Sequence, residues 1–355
     1  MVLAFVLKIE LSPVDHVLKN LSVFFAWNSA HHRNLHLRAP LTYWLGGLSI
    51  RSDLPLPGLL PSRSKRASQA DVVISRSRVP ESLSSVTAEF PEGQCNENEL
   101  LLNIPDAARY LIRHGAEILV DPAPLASPGD VTAYLLGTAF GVLCHQRGNP
   151  PLHASAIEVD DGCVAFTGDS GAGKSTLVAA LAARRHQVIS DDVCVLYRDD
   201  HGHLLIWPGL NRLRLWEDAM QALACERPGV EREFRGFNKY LIPLDPPRNP
   251  GKSRRLCRVY QLDSIPNGTQ PSVTKLQGAA AVEILMQNIY RSNLAEHMGK
   301  QATLFTVCAA VARDVPVFRF SRPLGFDMLP EGLDVLEEHL RDDNSERSAR
   351  QRKLI

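Results

Sequence analysis

The stretch Val164-Ala-Phe-Thr-Gly168-Asp-Ser-Gly-Ala-Gly173-Lys174-Ser175-Thr176 decides how this chain is read. Val164–Thr167 is a short apolar strand. Gly168, Asp169, Ser170, Gly171, Ala172 and Gly173 form a glycine-rich loop, and the Ala- and Leu-rich run from Lys174 to Arg184 predicts a helix. Every fixed position of G-x-x-x-x-G-K-[ST] is present, in the strand–loop–helix context that its mechanism requires. The glycines let backbone N–H groups turn inward around phosphates. The helix N-terminus adds partial positive charge. Lys174 is expected to reach the β- and γ-phosphates, and Ser175 to ligate Mg²⁺ through its hydroxyl, with Thr176 closing the loop. The expected cofactors are therefore ATP and Mg²⁺.

Two further signals flank the loop. Downstream, Gln187-Val-Ile-Ser190 reads as a second strand ending in Asp191-Asp192, 17 residues after Lys174. A carboxylate at a strand end beside the γ-phosphate can hold the metal or orient the nucleophile. Adjacent side chains point to opposite sides, so the pair is expected to divide the work. One touches metal or holds the loop, and the other accepts a proton from a substrate hydroxyl. Asp-Asp suits activation of an alcohol better than the Asp-Glu pair with which transport ATPases activate water. Upstream, His153 lies in Pro151-Leu-His-Ala-Ser-Ala156. A histidine there can stabilise transferring phosphate charge or orient an aspartate; a satisfied core histidine is the plainer reading.

Taken together, Leu152-His-Ala-Ser-Ala-Ile157, Gly168-Asp-Ser-Gly-Ala-Gly-Lys-Ser-Thr176 and His186-Gln-Val-Ile-Ser-Asp-Asp-Val193 resemble the HPr kinase family, whose pattern is a histidine, a G-D-S-G-x-G-K-S loop and a later A-D-D-x-V segment. The resemblance is specific over about 150–197 and diffuse over 198–341. Gly47-Leu-Ser-Ile-Arg-Ser-Asp-Leu-Pro-Leu-Pro57 and Ala70-Asp-Val-Val-Ile74 are similar to the HPr kinase-related branch. Some members of that branch accompany ribosomal peptides, and they include kinases of lasso-peptide precursors. The resemblance implies an α/β P-loop kinase core of the HPr kinase and phosphoenolpyruvate carboxykinase-like type, with a smaller strand-rich N-terminal domain. It implies Asp192 as the base that deprotonates a serine hydroxyl, with Asp191 and His153 assisting it; Asp191 is also the expected metal ligand beside Ser175. Lys239, in Gly236-Phe-Asn-Lys-Tyr-Leu241, stands loosely where the family has an arginine. Lys and Arg are not interchangeable at a bidentate site. The family's L-E-x-R-G-L-G stretch is replaced here by Trp207-Pro-Gly-Leu-Asn-Arg-Leu-Arg214. The arginine-rich loop on which phosphorylase activity leans is not recognisable, so a kinase is expected and no dephosphorylation is claimed.

The rest of the chain sets the frame. Its 355 residues suggest two domains. Hydrophobic and charged fractions of 45% and 22% are those of a globular protein. Lys+Arg and Asp+Glu both number 39, so net charge offers no case for a nucleic-acid or membrane partner. Seven cysteines without a C-x-x-C pair read as buried apolar residues of a reducing compartment. Met1–Lys8 reads as an edge strand rather than a leader, no apolar window reaches a membrane span, and a cytoplasmic location is expected.

Residues 1–129 predict a β-rich domain, with strands at Leu3–Leu7, Tyr43–Ile50, Val72–Ser75, Leu100–Ile104 and Ala116–Val120. His31-His32 reads as a loop pair rather than a metal pair. A nearly all-apolar helix over 130–147, capped by Ser127 or Asp130, opens a kinase domain spanning 130–341, and a charged flexible tail follows over 342–355. Arg212, Arg214, Arg254, Arg255 and Arg258 are candidates for a basic edge near the phosphates, with Arg291 beside them; Trp207 and Trp216 read as packing residues. The expected activity is γ-phosphoryl transfer to a serine-type hydroxyl of a peptide or small protein. The alternatives are a small-molecule hydroxyl kinase and a nucleotide-binding regulatory module. A homo-oligomer is expected only by analogy with the family.

Overall fold

In the strands Leu48–Ser52, Val72–Arg76 and Glu117–Pro122 more and less buried positions alternate, the mark of strands with one face on a core. The computed structural model describes residues 41–59, 70–160, 162–225, 230–232, 238–244 and 251–352. The expected strand Leu3–Leu7 and the His31-His32 pair lie outside them. Leu41–Ile355 forms one compact unit.

An eight-stranded sheet runs in the order Leu41–Leu45, Leu48–Ser52, Val72–Arg76, Glu117–Pro122, Ala108–Arg113, Glu99–Ile104, Gly93–Cys95, Ala88–Phe90. The run Tyr43–Ile50, expected as one strand, is a hairpin. Gly46 and Gly47 both have positive φ and turn the chain between two strands. A Cβ on Gly47 would lie 2.7 Å from the Trp207 ring, so the tip of this hairpin packs directly on that indole.

The apolar helix expected over 130–147 is a continuous helical rod in three pieces: Pro128–Tyr134, a π-helical turn Leu135–Ala139, and Phe140–Gln146. Ser127 caps it by accepting the Asp130 N–H at 3.0 Å, and Pro128 occupies the first turn. Leu135, Phe140, Val142 and Leu143 are buried against Ile50, Ile112 and Ile118 of the sheet and against Val195, Leu294 and Met298 from later in the chain. The Tyr110 hydroxyl ties sheet to helix by donating to the Val131 carbonyl at 2.8 Å.

The second sheet carries the phosphate-loop motif. Its order is Val188–Ser190, Ala154–Val159, Gly162–Thr167, Arg254–Ser264, Leu204–Ile206, Cys194–Arg198, Pro151–Leu152, with Val317–Arg322 beside Arg254–Ser264 and Ser272–Leu276 beyond it. Gly162–Thr167, Arg254–Ser264 and Val317–Arg322 are parallel, so their carboxyl ends meet at one edge, where open α/β sheets bind ligands. Ala154–Val159 runs antiparallel to Gly162–Thr167, and Val188–Ser190 antiparallel to Ala154–Val159. Two reversals return Val188–Ser190 to the direction of the phosphate-loop strand. His153, Gly168 and Asp191 therefore all emerge at that same edge.

The stretch expected as a charged flexible tail from 342 continues a helix whose backbone runs from Leu329 to Arg352. A three-stranded sheet of Arg212–Trp216, Lys239–Pro243 and Glu231–Arg232 was not expected. No helix among the described residues is long and apolar enough to cross a membrane.

The phosphate-loop strand is anchored by Phe166, fully buried and stacked on Tyr260 with ring centroids 5.6 Å apart. Phe166→Ala should cost about 3–5 kcal/mol of stability, read as a lower urea midpoint at unchanged slope.

Candidate functional site

The loop begins where the buried strand Gly162–Thr167 ends. Gly168, Gly171 and Gly173 have φ of 143°, 91° and 81°, backbone that side-chain-bearing residues rarely adopt. The helix Lys174–Ala183 follows at once and is packed into the core through Leu177, Val178 and Leu181. Strand, loop and helix are those of a P-loop nucleotide-binding fold. The Lys174 ammonium folds back over the loop, donating to the Gly168 carbonyl at 2.7 Å and the Asp169 carbonyl at 3.1 Å. Burial pulls its pKa down, opposed by Asp192 and Asp191.

Asp191 is buried and fully engaged. One carboxylate oxygen accepts from the Ser155 hydroxyl at 2.6 Å and from the Ser175 hydroxyl at 2.9 Å; the other accepts from the Arg214 N–H at 2.8 Å. Burial pushes its carboxyl up, and the hydrogen bonds from Ser155, the Arg214 amide and Ser175 oppose that rise.

Asp192 turns the other way, on backbone with a φ of +73°. Its carboxylate faces the cavity, 3.4 Å from His153 Nε2 and paired with the Arg214 guanidinium. Burial alone would raise this carboxyl. Arg214 first, then His153 and Lys239, outweigh burial and hold it well below the usual carboxylate range. The adjacent carboxylates thus occupy two different environments.

The cavity in front of the loop measures about 280 Å³; its lining includes Ser170, Gly171, Gly173, Lys174, Ser175, Thr176, His153, Asp192, Arg214 and Lys239, together with Trp216, Asp218, Arg322, Leu324 and Phe326. Lys239 and Trp216 pair across the three-stranded sheet, and the Lys239 ammonium lies 5.6 Å from the Trp216 ring centroid. Of the site residues read from sequence, four do not line this cavity: Gly168, Asp169 and Ala172 shape the loop, with the Asp169 carbonyl accepting from the Ala172 N–H at 3.1 Å, and Asp191 lies behind it, lining two much smaller cavities.

Of the arginines named as a basic edge, the structure brings Arg214 alone into this cavity. Arg254 pairs with Glu158. Arg258 is fully buried and donates to the Leu340 carbonyl. Arg212 lines a much smaller adjoining cavity with Asp192 and Leu136. Arg291 lies over the Tyr290 ring at 5.4 Å, and Tyr290 in turn makes an edge contact with His153. Trp207 packs on Gly47, as a packing residue should, whereas Trp216 is 46% exposed on the cavity wall.

Two residues at the site carry no sequence signal. Buried Asn288 accepts the Gly168 N–H on its side-chain oxygen at 2.9 Å and the His153 N–H on its main-chain carbonyl at 2.8 Å, so it fixes both the loop entry and the histidine. Arg322 donates to the Ala172 and Gly173 carbonyls at 3.3 and 3.5 Å. Both stand more than a hundred residues from the loop they touch, and neither belongs to a local pattern.

The oxygen atoms of Ser175 and Asp191 suit a small hard cation that takes few protein ligands and completes its shell with phosphate and water. Among the described residues no group of three or more His, Cys, Asp or Glu could enclose a metal by itself.

No family model matches the chain. A stretch of 63 residues is 48% identical to the hemin import ATP-binding protein HmuV of Streptomyces coelicolor, covering 18% of this chain and 21% of that protein. The chain thus spans about a fifth of the length of the curated relative it matches. The solved Hpr(Ser) kinase/phosphatase from Coxiella burnetii aligns with 55% of this chain and 98% of that chain at 15% identity, with a TM-score of 0.28.

Removing the guanidinium should free the Asp192 carboxyl. In Arg214→Met it should titrate higher than in the wild type, by carboxyl carbon NMR. A depressed carboxyl contributes stability that is present above its unfolded pKa and lost as pH falls through its folded pKa. The variant should therefore unfold in acid at a higher pH; an unchanged acid midpoint would show that the pair contributes nothing.

Proposed function

We propose that this chain is an ATP-dependent kinase that passes the γ-phosphoryl group to a serine-type hydroxyl of a peptide or small protein. Modification of a ribosomally made, lasso-type precursor is the setting that the sequence resemblance favours. The observation that carries the proposal is the position of Asp192, in one cavity with Lys174, Ser175, His153 and Arg214 and facing away from Asp191. The short match to an ATP-binding protein agrees with ATP as the nucleotide.

The chemistry follows from the two carboxylate environments. Asp191 is committed to Ser155, Ser175 and the Arg214 amide, so it serves as a structural and metal-side group. With Ser175 it would hold Mg²⁺, which neutralises phosphate charge when bound. Asp192 faces the space before the loop, where an acceptor hydroxyl can approach. The hydroxyl oxygen attacks the γ-phosphorus, the bond to the β–γ bridging oxygen breaks, and ADP leaves with that electron pair. The hydroxyl proton passes to an Asp192 oxygen.

A carboxylate held this acidic is a weak base. In a loose phosphoryl transfer the proton leaves late, so Asp192 acts first by orienting the hydroxyl. His153 positions it, and Lys174, Arg214 and Lys239 supply positive charge for the transferring group.

The deciding assay uses ATP labelled at the γ-phosphate, Mg²⁺, and three acceptors: a precursor peptide ending in serine, an HPr-like protein and free serine. Label should pass to a peptide or protein hydroxyl. Asp192→Asn should lower that rate by about 10²–10⁴-fold while ATP still binds. Label on free serine alone would make this a metabolite kinase. ATP binding with no labelled acceptor would favour a regulatory module.

A further inference from the structure

Arg322 is the last residue of the strand Val317–Arg322, and only 3% of it is exposed. Buried arginines are normally paired with an acid. Among the described residues no carboxylate lies within ion-pair distance of this one. Its Nε has no hydrogen-bond partner, and its remaining contacts are long donations to the carbonyls of Pro323, Ala172 and Gly173, at 3.3, 3.3 and 3.5 Å. Burial pushes its pKa down to about 10, as expected of a cation stripped of water without an anion in exchange. Arg322 lines the cavity, and its guanidinium lies beside Gly173, where a Cβ would come within 2.7 Å of it.

Sheet order fixes which end of a ligand it meets. On one side of the phosphate-loop strand lie Ala154–Val159 and Val188–Ser190, which lead to His153 and Asp192. On the other lie Arg254–Ser264 and Val317–Arg322. A phosphate chain threaded along the loop with its transferable end at Asp192 must run its other end toward Arg322. Two apolar side chains stand exposed there, Leu324 at 47% and Phe326 at 39%, both on the cavity wall. They continue directly from the loop, since a Cβ on Gly173 would lie 4.0 Å from Leu324 Cδ2.

We infer that Arg322 and the segment after it form the wall that reads the nucleotide: the guanidinium binds inner phosphate oxygens, and Leu324 with Phe326 covers one face of the base. This rests on the nucleotide-binding reading of the loop. An arginine buried without an acid waits for the anion that completes it, and its fork suits phosphate oxygens. Flat apolar surface next to it suits the face of a base, which is the part of the nucleotide that must extend beyond the phosphates.

The test is calorimetric titration of the full chain with ADP and, separately, with inorganic tripolyphosphate, alongside thermal unfolding without ligand. Arg322→Gln should weaken both ligands about tenfold or more while the unligated melting temperature holds. Phe326→Ala should weaken ADP several-fold and leave tripolyphosphate unchanged. Wild-type affinities in Arg322→Gln, with a lower unligated melting temperature, would make Arg322 a brace for the loop and overturn the inference. Unchanged ADP affinity in Phe326→Ala would remove the base seat. If Arg322→Gln does not fold, Arg322→Lys decides by the same comparison, since it keeps the charge and loses the fork. Lys174→Ala separates the two levels. Wild-type protein that binds neither ligand sinks the nucleotide reading itself. Binding lost in Lys174→Ala but intact in both Arg322 variants sinks this inference alone.

Discussion

A single buried carboxylate holds the site together. Asp191 accepts from Ser155 on the strand beside the phosphate-loop strand, from Ser175 on the helix after the loop, and from the Arg214 amide on the three-stranded sheet. Removing that carboxylate would leave two hydroxyls and an amide without their acceptor in a nearly dry interior, where each unmet group costs about 1–3 kcal/mol. The three elements it joins come from distant parts of the chain. Their convergence around one oxygen pair sets the distance between the loop, His153 and Arg214, and with it the shape of the cavity.

Next to this anchor, the backbone at Asp192 is left-handed. With Asp191 turned inward, Asp192 leaves the strand end on backbone with a φ of +73°, and its carboxylate lies in the cavity. Non-glycine residues adopt such φ at a cost, which aspartate bears better than most. Here the cost is offset by the ion pair with Arg214 and the contact with His153. The two aspartates thus differ in what holds them, hydrogen bonds for Asp191 and charged partners for Asp192.

Support for the site extends well beyond the loop. Asn288 ties the loop entry to His153, and the Gly46-Gly47 hairpin of the first sheet packs on Trp207, just ahead of the strand that bears Arg214. The apolar rod Pro128–Gln146 lies between that sheet and residues Val195, Leu294 and Met298, so both sheets share a core with the segment next to the aspartates. Parts of the chain with no chemistry of their own thereby fix the side chains that have it.

What the sequence determined by itself was local. The phosphate loop, its strand and its helix were legible because their chemistry needs particular residues at consecutive positions, as Gly168–Ser175 shows. The Asp191-Asp192 turn and the capped helix after Ser127 were legible for the same reason. The two-strand hairpin at Gly46-Gly47 was hidden inside one apolar run; Arg212–Trp216 alternates, but its arginines read as a basic edge, and Lys239–Pro243 has no period of two. Arg214 was one of five similar arginines, and only pairing of its strand with Lys239–Pro243, over the loop, separates it from Arg254 and Arg258. Asn288 and Arg322 were invisible, since an isolated polar residue gains its role from what lies across the sheet from it. Tertiary structure alone decided which charges meet, because ion pairs and buried hydrogen bonds depend on distance in space and leave no period in the chain.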